Sequence, residues 1–353
     1  MARLIIPALL TLAFANGQAL TTEYVADKAF RIEIESRFNI ETVDFSMERD
    51  GEPVEGGFGG GPTIDETRSF AIVDTVKAVE DGKPTHVRRK FETIEGSAFS
   101  VMGDRENESN SECPLTGTVI DVIADGDDVV TEMVEGSEPE DEKCMEGHAP
   151  ALALDGLLPA GDVEAGDSWE IDGEAIQHAL GFDLEHAYFP PPAREEAEEG
   201  GGRRGRGRGG RGGGGGGAAR YFQAGEWEAE GTLLEGTKEH EGVECHVIEI
   251  TAEASGELPE RERTEGGGGR GGRSLGLPSA RPENSFEIEL EATLYFSVAD
   301  KRPMRFEAEA ELTAESVREM QRRDSQMVMS SAQEGTLKYT VDVTSAETEE
   351  SDE

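Results

Sequence analysis

The constraint that weighs most on this chain is a strict two-residue alternation sustained well beyond the length of an ordinary strand. In NSFEIELEATLYFSVADKRPMRFEAEAEL, Phe286, Ile288, Leu290, Ala292, Leu294, Phe296 and Val298 share one parity, while Glu287, Glu289, Glu291, Thr293, Tyr295 and Ser297 hold the other. After the turn ADKRP the pattern resumes, with Phe306, Ala308, Ala310 and Leu312 set against Arg305, Glu307, Glu309 and Glu311. Successive side chains of a strand point to opposite faces, so such a run buries its apolar positions as a sheet with one packed and one solvated face. Ile32, Ile34, Phe38 and Ile40 repeat the pattern near the amino end and Leu337, Tyr339, Val341 and Val343 near the carboxyl end, with HVIEITAEASGE a weaker case between them. Turn signals punctuate the runs: EDGK at Glu80, ADGDD at Ala124 and HEGVE at His240. The predicted fold is mainly β: antiparallel strands of roughly ten residues forming a curved sheet or barrel-like domain, with few short helices.

Two segments have helical character. GEAIQHALGF, from Gly173, sets Ile176, Ala179 and Leu180 on one side and predicts a short helix ending at Gly181. TAESVREMQRRDSQMVM, from Thr313, offers a capping box at Ser316 and Glu319 but few apolar residues, and reads either as a helix or as a polar loop. Between the strand runs lie GGFGGGP from Gly56, the tract EEGGGRRGRGRGGRGGGGGGAARY from Glu198, RTEGGGGRGGR from Arg263 and the tail ETEESDE. Glycine runs bury too little apolar area to offset the entropy of ordering them, so these are expected to be disordered loops and a tail. The resulting division is a signal peptide over 1–19, a first β half over 20–190, a Gly/Arg-rich insertion over 191–220, a second β half over 221–345 with a Gly-rich loop at 263–274, and an acidic tail over 346–353.

The opening, MARLIIPALLTLAFANGQALTTEY, carries one positive charge at Arg3 and then an apolar run to Phe14. Small-residue sites follow at Ala13-Phe14-Ala15 and Gly17-Gln18-Ala19. This is the layout of a cleaved secretory signal, which predicts a periplasmic or extracellular protein with no transmembrane segment after cleavage. The formal net charge is −43, and a chain this acidic repels nucleic acid at long range. Five arginines stand between Arg203 and Arg211, but no aromatic is interleaved among them to stack on a base, and Glu195, Glu196, Glu198 and Glu199 precede them. The tract reads as a solvated linker, or as a cationic arm for an acidic surface or polymer.

Motifs for chemistry are sparse. Cys113 and Cys144 flank the hairpin-like LTGTVIDVIADGDDVVTEMVEG, and in an exported chain a disulfide between them is expected, worth on the order of 3–4 kcal/mol by loop closure. Cys245 is left as a packed thiol. HEGVECH, from His240, lacks the i, i+4 histidine pair of a zinc-protease helix, and CMEGH, from Cys144, lacks a second ligand pair. The six histidines are expected on surfaces or loops. DGDD, from Asp125, lacks the twelve-residue calcium-loop pattern, and no serine sits in a G-x-S-x-G turn. No catalytic residue, cofactor or metal site is therefore expected.

One stretch is more distinctive. LDGLLPAGDVEAGDSWEID, from Leu154, joins Leu-Pro to Val163, Gly166, Asp167, Ser168 and Trp169. It resembles an element of uncharacterised exported β-rich bacterial domains, in which a V-x-x-G-D-x-W phrase leads into a strand. The resemblance implies a turn at Gly166-Asp167 and a Trp169 ring against the core, and no activity. A looser version, AGEWEAEG, with Gly225 and Trp227, suggests two similar halves. The sequence thus points to a non-enzymatic envelope or extracellular binding or scaffold protein with a protein or polymer partner. The alternative is a carrier of a lipid-like or apolar ligand in the concave face of the sheet.

Overall fold

The computed structural model describes residues 17–54, 61–103, 105–126, 128–137, 139, 141–182, 184–189, 217–258, 283–322 and 325–347. The alternating runs are strands: β1 (Ala29–Arg49), β2 (Glu52–Pro53), β3 (Thr63–Glu80), β4 (Lys83–Met102), β5 (Arg105–Glu112), β6 (Val119–Asp125), β7 (Asp128–Glu135), β8 (Ser168–Ile171), β9 (Glu226–Leu233), β10 (Lys238–His240), β11 (Val243–Glu257), β12 (Glu283–Ser297), β13 (Arg302–Arg322) and β14 (Ser325–Ala346). Short helices α1 (Gly173–Ala179), α2 (Glu185–Tyr188) and α3 (Ala219–Ala224), with 3-10 turns at Glu142–Met145 and Ala153–Leu157, fall between β7 and β9.

The strands join one antiparallel sheet in the order β7-β6-β4-β3-β1-β14-β13-β12-β11-β9-β8, with β2, β5 and β10 pairing beside β1, β4 and β11. Among the described residues no pairing joins β7 to β8, so the sheet stays open. Its strands outrun the expected ten residues: β1 has 21, a length of about 70 Å. Each half is a meander, and the first and last long strands form the seam, from Ala29 opposite Ala346 to Arg49 opposite Met327, with a register shift between Thr42 and Asp44. Tight reversals come where the sequence placed them. Asp81 (φ 50°) with Gly82 (φ 79°) and Glu241 (φ 50°) with Gly242 (φ 82°) are left-handed at both central positions, the geometry that matches the twist of paired strands.

The apolar parity packs inward. Phe286, Ile288, Leu290, Leu294, Phe306, Leu312, Phe38 and Ile40 form one buried cluster with Leu154, Leu157, Ile176, Leu180, Phe182, Tyr221 and Phe222, so the segments between β7 and β9 lie on the inner face of the sheet. A second cluster, Phe70, Ile72, Phe91, Ile94, Ile120 and Val122 with Cys144, Leu184 and Tyr188, fills the inner side of the first meander. Helix α1 forms where GEAIQHALGF predicted it. Asp172 caps it by accepting from the Glu174 N–H, and Gly181 follows at φ 67°.

Several expectations change. Residues from Thr313 form neither helix nor loop. They extend β13 and turn back as β14, with Thr313 opposite Glu334 and Glu319 opposite Val328, so a neighbouring strand outcompetes the local capping signal. The Gly/Arg-rich insertion ends before residue 220, because Gly217, Ala218 and Ala219 are buried and α3 begins at Ala219. Trp169 and Trp227 stand on adjacent strands β8 and β9, each indole N–H donating to a carbonyl of the inner segments, Leu157 at 3.1 Å and Phe222 at 3.0 Å. Both rings pack on the main cluster. GGFGGGP up to Gly60, the Gly/Arg tract up to Gly216, the loop 263–274, the first sixteen residues and the tail from Thr348 lie outside the described residues.

Candidate functional site

The polar parity builds one continuous surface. Because the strands of the second meander pair without register slips over most of their length, outward residues fall into rows that cross the sheet. In one row Glu228 stands opposite Glu253, Glu253 opposite Glu289 and Glu289 opposite Glu311. In the next, Glu170 faces Glu230, Glu230 faces Thr251, Thr251 faces Glu291, and Glu291 faces Glu309. The rows are mostly glutamate, with Thr251 set among them, and the glutamates are exposed. Like charges directly opposite one another destabilise a sheet. Cations on this face are few: Lys338 pairs with Glu309 at 2.9 Å, and Arg305 reaches Glu307 at 2.7 Å and Asp342 at 2.8 Å. Glu228, Glu253, Glu289 and Glu311 have no ion pair among the described residues.

Under the inner face lies a buried polar knot. Asp74 on β3 and Arg89 on β4 are register partners, and both hold the inward parity, Asp74 between Ile72 and Val76 and Arg89 between Val87 and Phe91. The guanidinium grips the carboxylate with two bonds, Nε to Oδ1 at 2.8 Å and Nη2 to Oδ2 at 2.7 Å, and Nη2 also donates to the Ala149 carbonyl at 3.2 Å. Burial alone would lower the Arg89 pKa, and the charge and hydrogen bonds of Asp74 more than reverse this, holding it above its ordinary value. His148 Nε2 lies 3.0 Å from the Cys144 carbonyl, and its Nδ1 lies 3.4 Å from Arg89 Nη1. Beside a carbonyl, Nε2 is the nitrogen placed to donate. A neighbouring knot centres on Asp155, which accepts from Thr22 Oγ1 at 2.5 Å and from Tyr24 OH at 2.5 Å, while Tyr24 OH accepts from the Leu152 N–H at 2.8 Å. Together they tie residues 22–24 and 148–155 to the first meander, and each group spends its hydrogen-bonding capacity on the fold.

The expected Cys113–Cys144 bridge is absent: Cys113, Cys144 and Cys245 are all free, buried thiols. The structure brings Cys113 and Cys144 into the same apolar cluster. The Cys113 Sγ accepts from the Leu115 N–H at 3.4 Å, and burial pushes its pKa up to about 12. His148 departs from its expected place, being 3% exposed in the Arg89 knot. Asp74 and Arg89 were not singled out from the sequence, although the signal was there: a carboxylate and a guanidinium each replace an apolar residue at core parity in consecutive strands. Among the described residues, no group of three or more His, Cys, Asp or Glu side chains is placed to hold a metal ion.

No family model matches the chain, and no curated protein matches it. Among solved structures it is similar in backbone to one described as lipid-protein interactions in lipovitellin, with 7% identity, a TM-score of 0.35, and coverage of 92% of this chain and 26% of that one. The chain thus spans about a quarter of that protein's length. It is also similar to the outer membrane protein OprG from Pseudomonas aeruginosa, with 5% identity, a TM-score of 0.21, and coverage of 93% of this chain and 100% of the other. At these values neither structure assigns a role to this chain.

Proposed function

We propose that this chain is an exported, non-catalytic β scaffold of the envelope or extracellular space, which acts by presenting its carboxylate-lined outer face to a cationic protein or polymer. The observation that carries this reading is how the two faces of the sheet are occupied. The inner face, where a carrier would hold its cargo, is packed with the chain's own segments, and Leu233, Ile248 and Leu294 there are 0% exposed. The outer face carries exposed glutamates in cross-strand rows. Export rests on the signal-like opening and suits a highly charged surface. The non-catalytic assignment is supported by the polar knots, whose groups are committed to the fold.

Native mass spectrometry of the protein from its exported fraction, before and after denaturation, tests the reading. The bare chain mass in both is expected, and a stoichiometric apolar cargo lost on denaturation would establish the carrier instead. Leu294→Trp provides a second arm. A packed interior should be overfilled and lose about 1–3 kcal/mol of stability, whereas an open cavity would accept the ring and lose only its cargo.

A further inference from the structure

Three strands outrun their neighbours at one end of the sheet. The pairing of β3 with β1 ends at Ile64 opposite Ile40, and that of β12 with β13 ends at Glu283 opposite Val317. Beyond these points residues 41–49 of β1, 325–334 of β14 and 318–322 of β13 continue as a ribbon, beside which the described residues place only Pro62, accepting from Thr42 at its base, and β2 with Val54 along β1 near its tip. The inward parity changes character along it. Ile40, Gly335 and Leu312 give way to Thr42, Gln333 and Ala314, then to Phe45, Ser331 and Ser316, and finally to Met47, Met329 and Arg318 in one row, with Arg49 opposite Met327 beyond. Met47, Met327 and Met329 are half-buried, while Arg49 and Arg318 are exposed and have no ion pair among the described residues. In a chain of net charge −43, this end presents two cations, unpaired among the described residues, on a bed of methionine, a side chain that adapts to irregular partners.

The surface complementary to it stands on the same molecule. The row Glu228, Glu253, Glu289 and Glu311 is exposed and has no ion pair among the described residues, and Thr251 and Thr313 stand beside it, offering methyl groups to a methionine face. We propose that the Met/Arg face of the ribbon of one copy docks on the glutamate rows of a second copy, making the scaffold self-assembling. This rests on the reading of the outer face as an interface. The two surfaces are different patches, so the contact is heterologous and propagates as an open chain. A three-stranded face of this length covers on the order of 400 Å² per copy, below the roughly 800 Å² per partner of a stable complex. Assembly is therefore weak, concentration-dependent and weakened by salt.

Sedimentation velocity over a concentration series at low salt tests this with three full-length proteins. Wild type should show a sedimentation coefficient that climbs with concentration and falls back when salt is added. Arg49→Glu/Arg318→Glu alters only the ribbon, and Glu253→Gln/Glu289→Gln/Glu311→Gln only the outer face. Each alone should associate about tenfold more weakly or less still. Mixed in equal amounts, they should form a heterodimer that does not elongate, because one intact ribbon meets one intact outer face. Thermal unfolding close to that of wild type verifies that both variants are folded. Wild type that stays monomeric at every concentration, variants that assemble as wild type does, or a mixture without heterodimer would each overturn the proposal. Failure here alone leaves the scaffold reading with some other cationic partner, whereas an apolar cargo in the mass spectrum overturns that reading whatever the sedimentation shows.

Discussion

At the scale of single residues, the pairing of Asp74 with Arg89 shows how much a polar group costs at a core position and what makes it tolerable. A lone buried charge is strongly unfavourable, and removing one member of a buried pair typically costs about 3–5 kcal/mol. Arg89→Met should lower stability by about that amount, while Asp74→Leu/Arg89→Met should recover most of it; urea unfolding of the three proteins at neutral pH measures this. Asp155 gives a pH signature. Burial raises its pKa above the ordinary carboxylate range, against the hydrogen bonds from Thr22 and Tyr24. Folded Asp155 thus keeps its proton to higher pH than the unfolded chain does. Its contribution is fully present below the ordinary carboxylate range and is lost as pH rises through the raised value. Asp155→Asn should gain on wild type across that interval and run parallel to it above, read as the difference in urea midpoints against pH. Parity shows that Asp74 and Arg89 are inward-facing, but their partnership depends on which strands are neighbours. His148 sits in an irregular segment and Asp155 in a short 3-10 helix, neither long enough to show a periodicity, so the knots that hold these segments were not visible in the sequence.

At the scale of elements, alternation carried nearly all the information. Strands β12 and β13 follow the expected pattern from Phe286 to Phe296 and from Phe306 to Leu312, and the like-charge rows follow from it once the register is known; the pattern breaks at the shift after Tyr295, where Ser297 is buried and Val298, expected inward, is exposed. Glu289 faces Glu253 on one side and Glu311 on the other. Glu289→Lys should therefore stabilise the protein by about 0.5–1 kcal/mol, a gain that shrinks as salt is added; melting temperatures at low and high ionic strength measure both. Sequence reading failed at the ends of elements. Beyond Ala314 and Gln333, which Tyr221 of α3 still reaches, residues 315–332 lose the clean apolar parity as their inner face becomes half-buried or exposed, and without burial the pattern that identifies a strand fades. The same change from alanine and leucine to methionine and arginine that hid the strands marks the surface proposed for assembly.

For the molecule as a whole, the amino-terminal segment is built in. Gln18 pairs with Val163 through both backbone bonds, at 2.9 and 3.1 Å, and Leu20 is 1% exposed. Cleavage after Ala19 would discard that pairing, whereas cleavage after Ala15 keeps it. If the chain is exported as proposed, its mature form is expected to begin at Asn16, and top-down mass spectrometry of that form reads the answer directly; a chain beginning at Leu20 would show that the Gln18–Val163 contact is dispensable. The fold class was legible because it depends on local pattern. The open sheet was not, because closure depends on whether β7 and β8 meet, which no segment of sequence records.

The seam between β1 and β14 has a consequence for biosynthesis. Strand β1 is synthesised well before β14, so until residues 325–346 have been delivered the sheet is two meanders with raw edges at β1 and β13. A loop that long closes slowly, and exposed edges invite pairing with other chains. A product cut short near its carboxyl end would keep most of its strands and still lack the one that joins them, and should be the form that cells clear or that accumulates as aggregate.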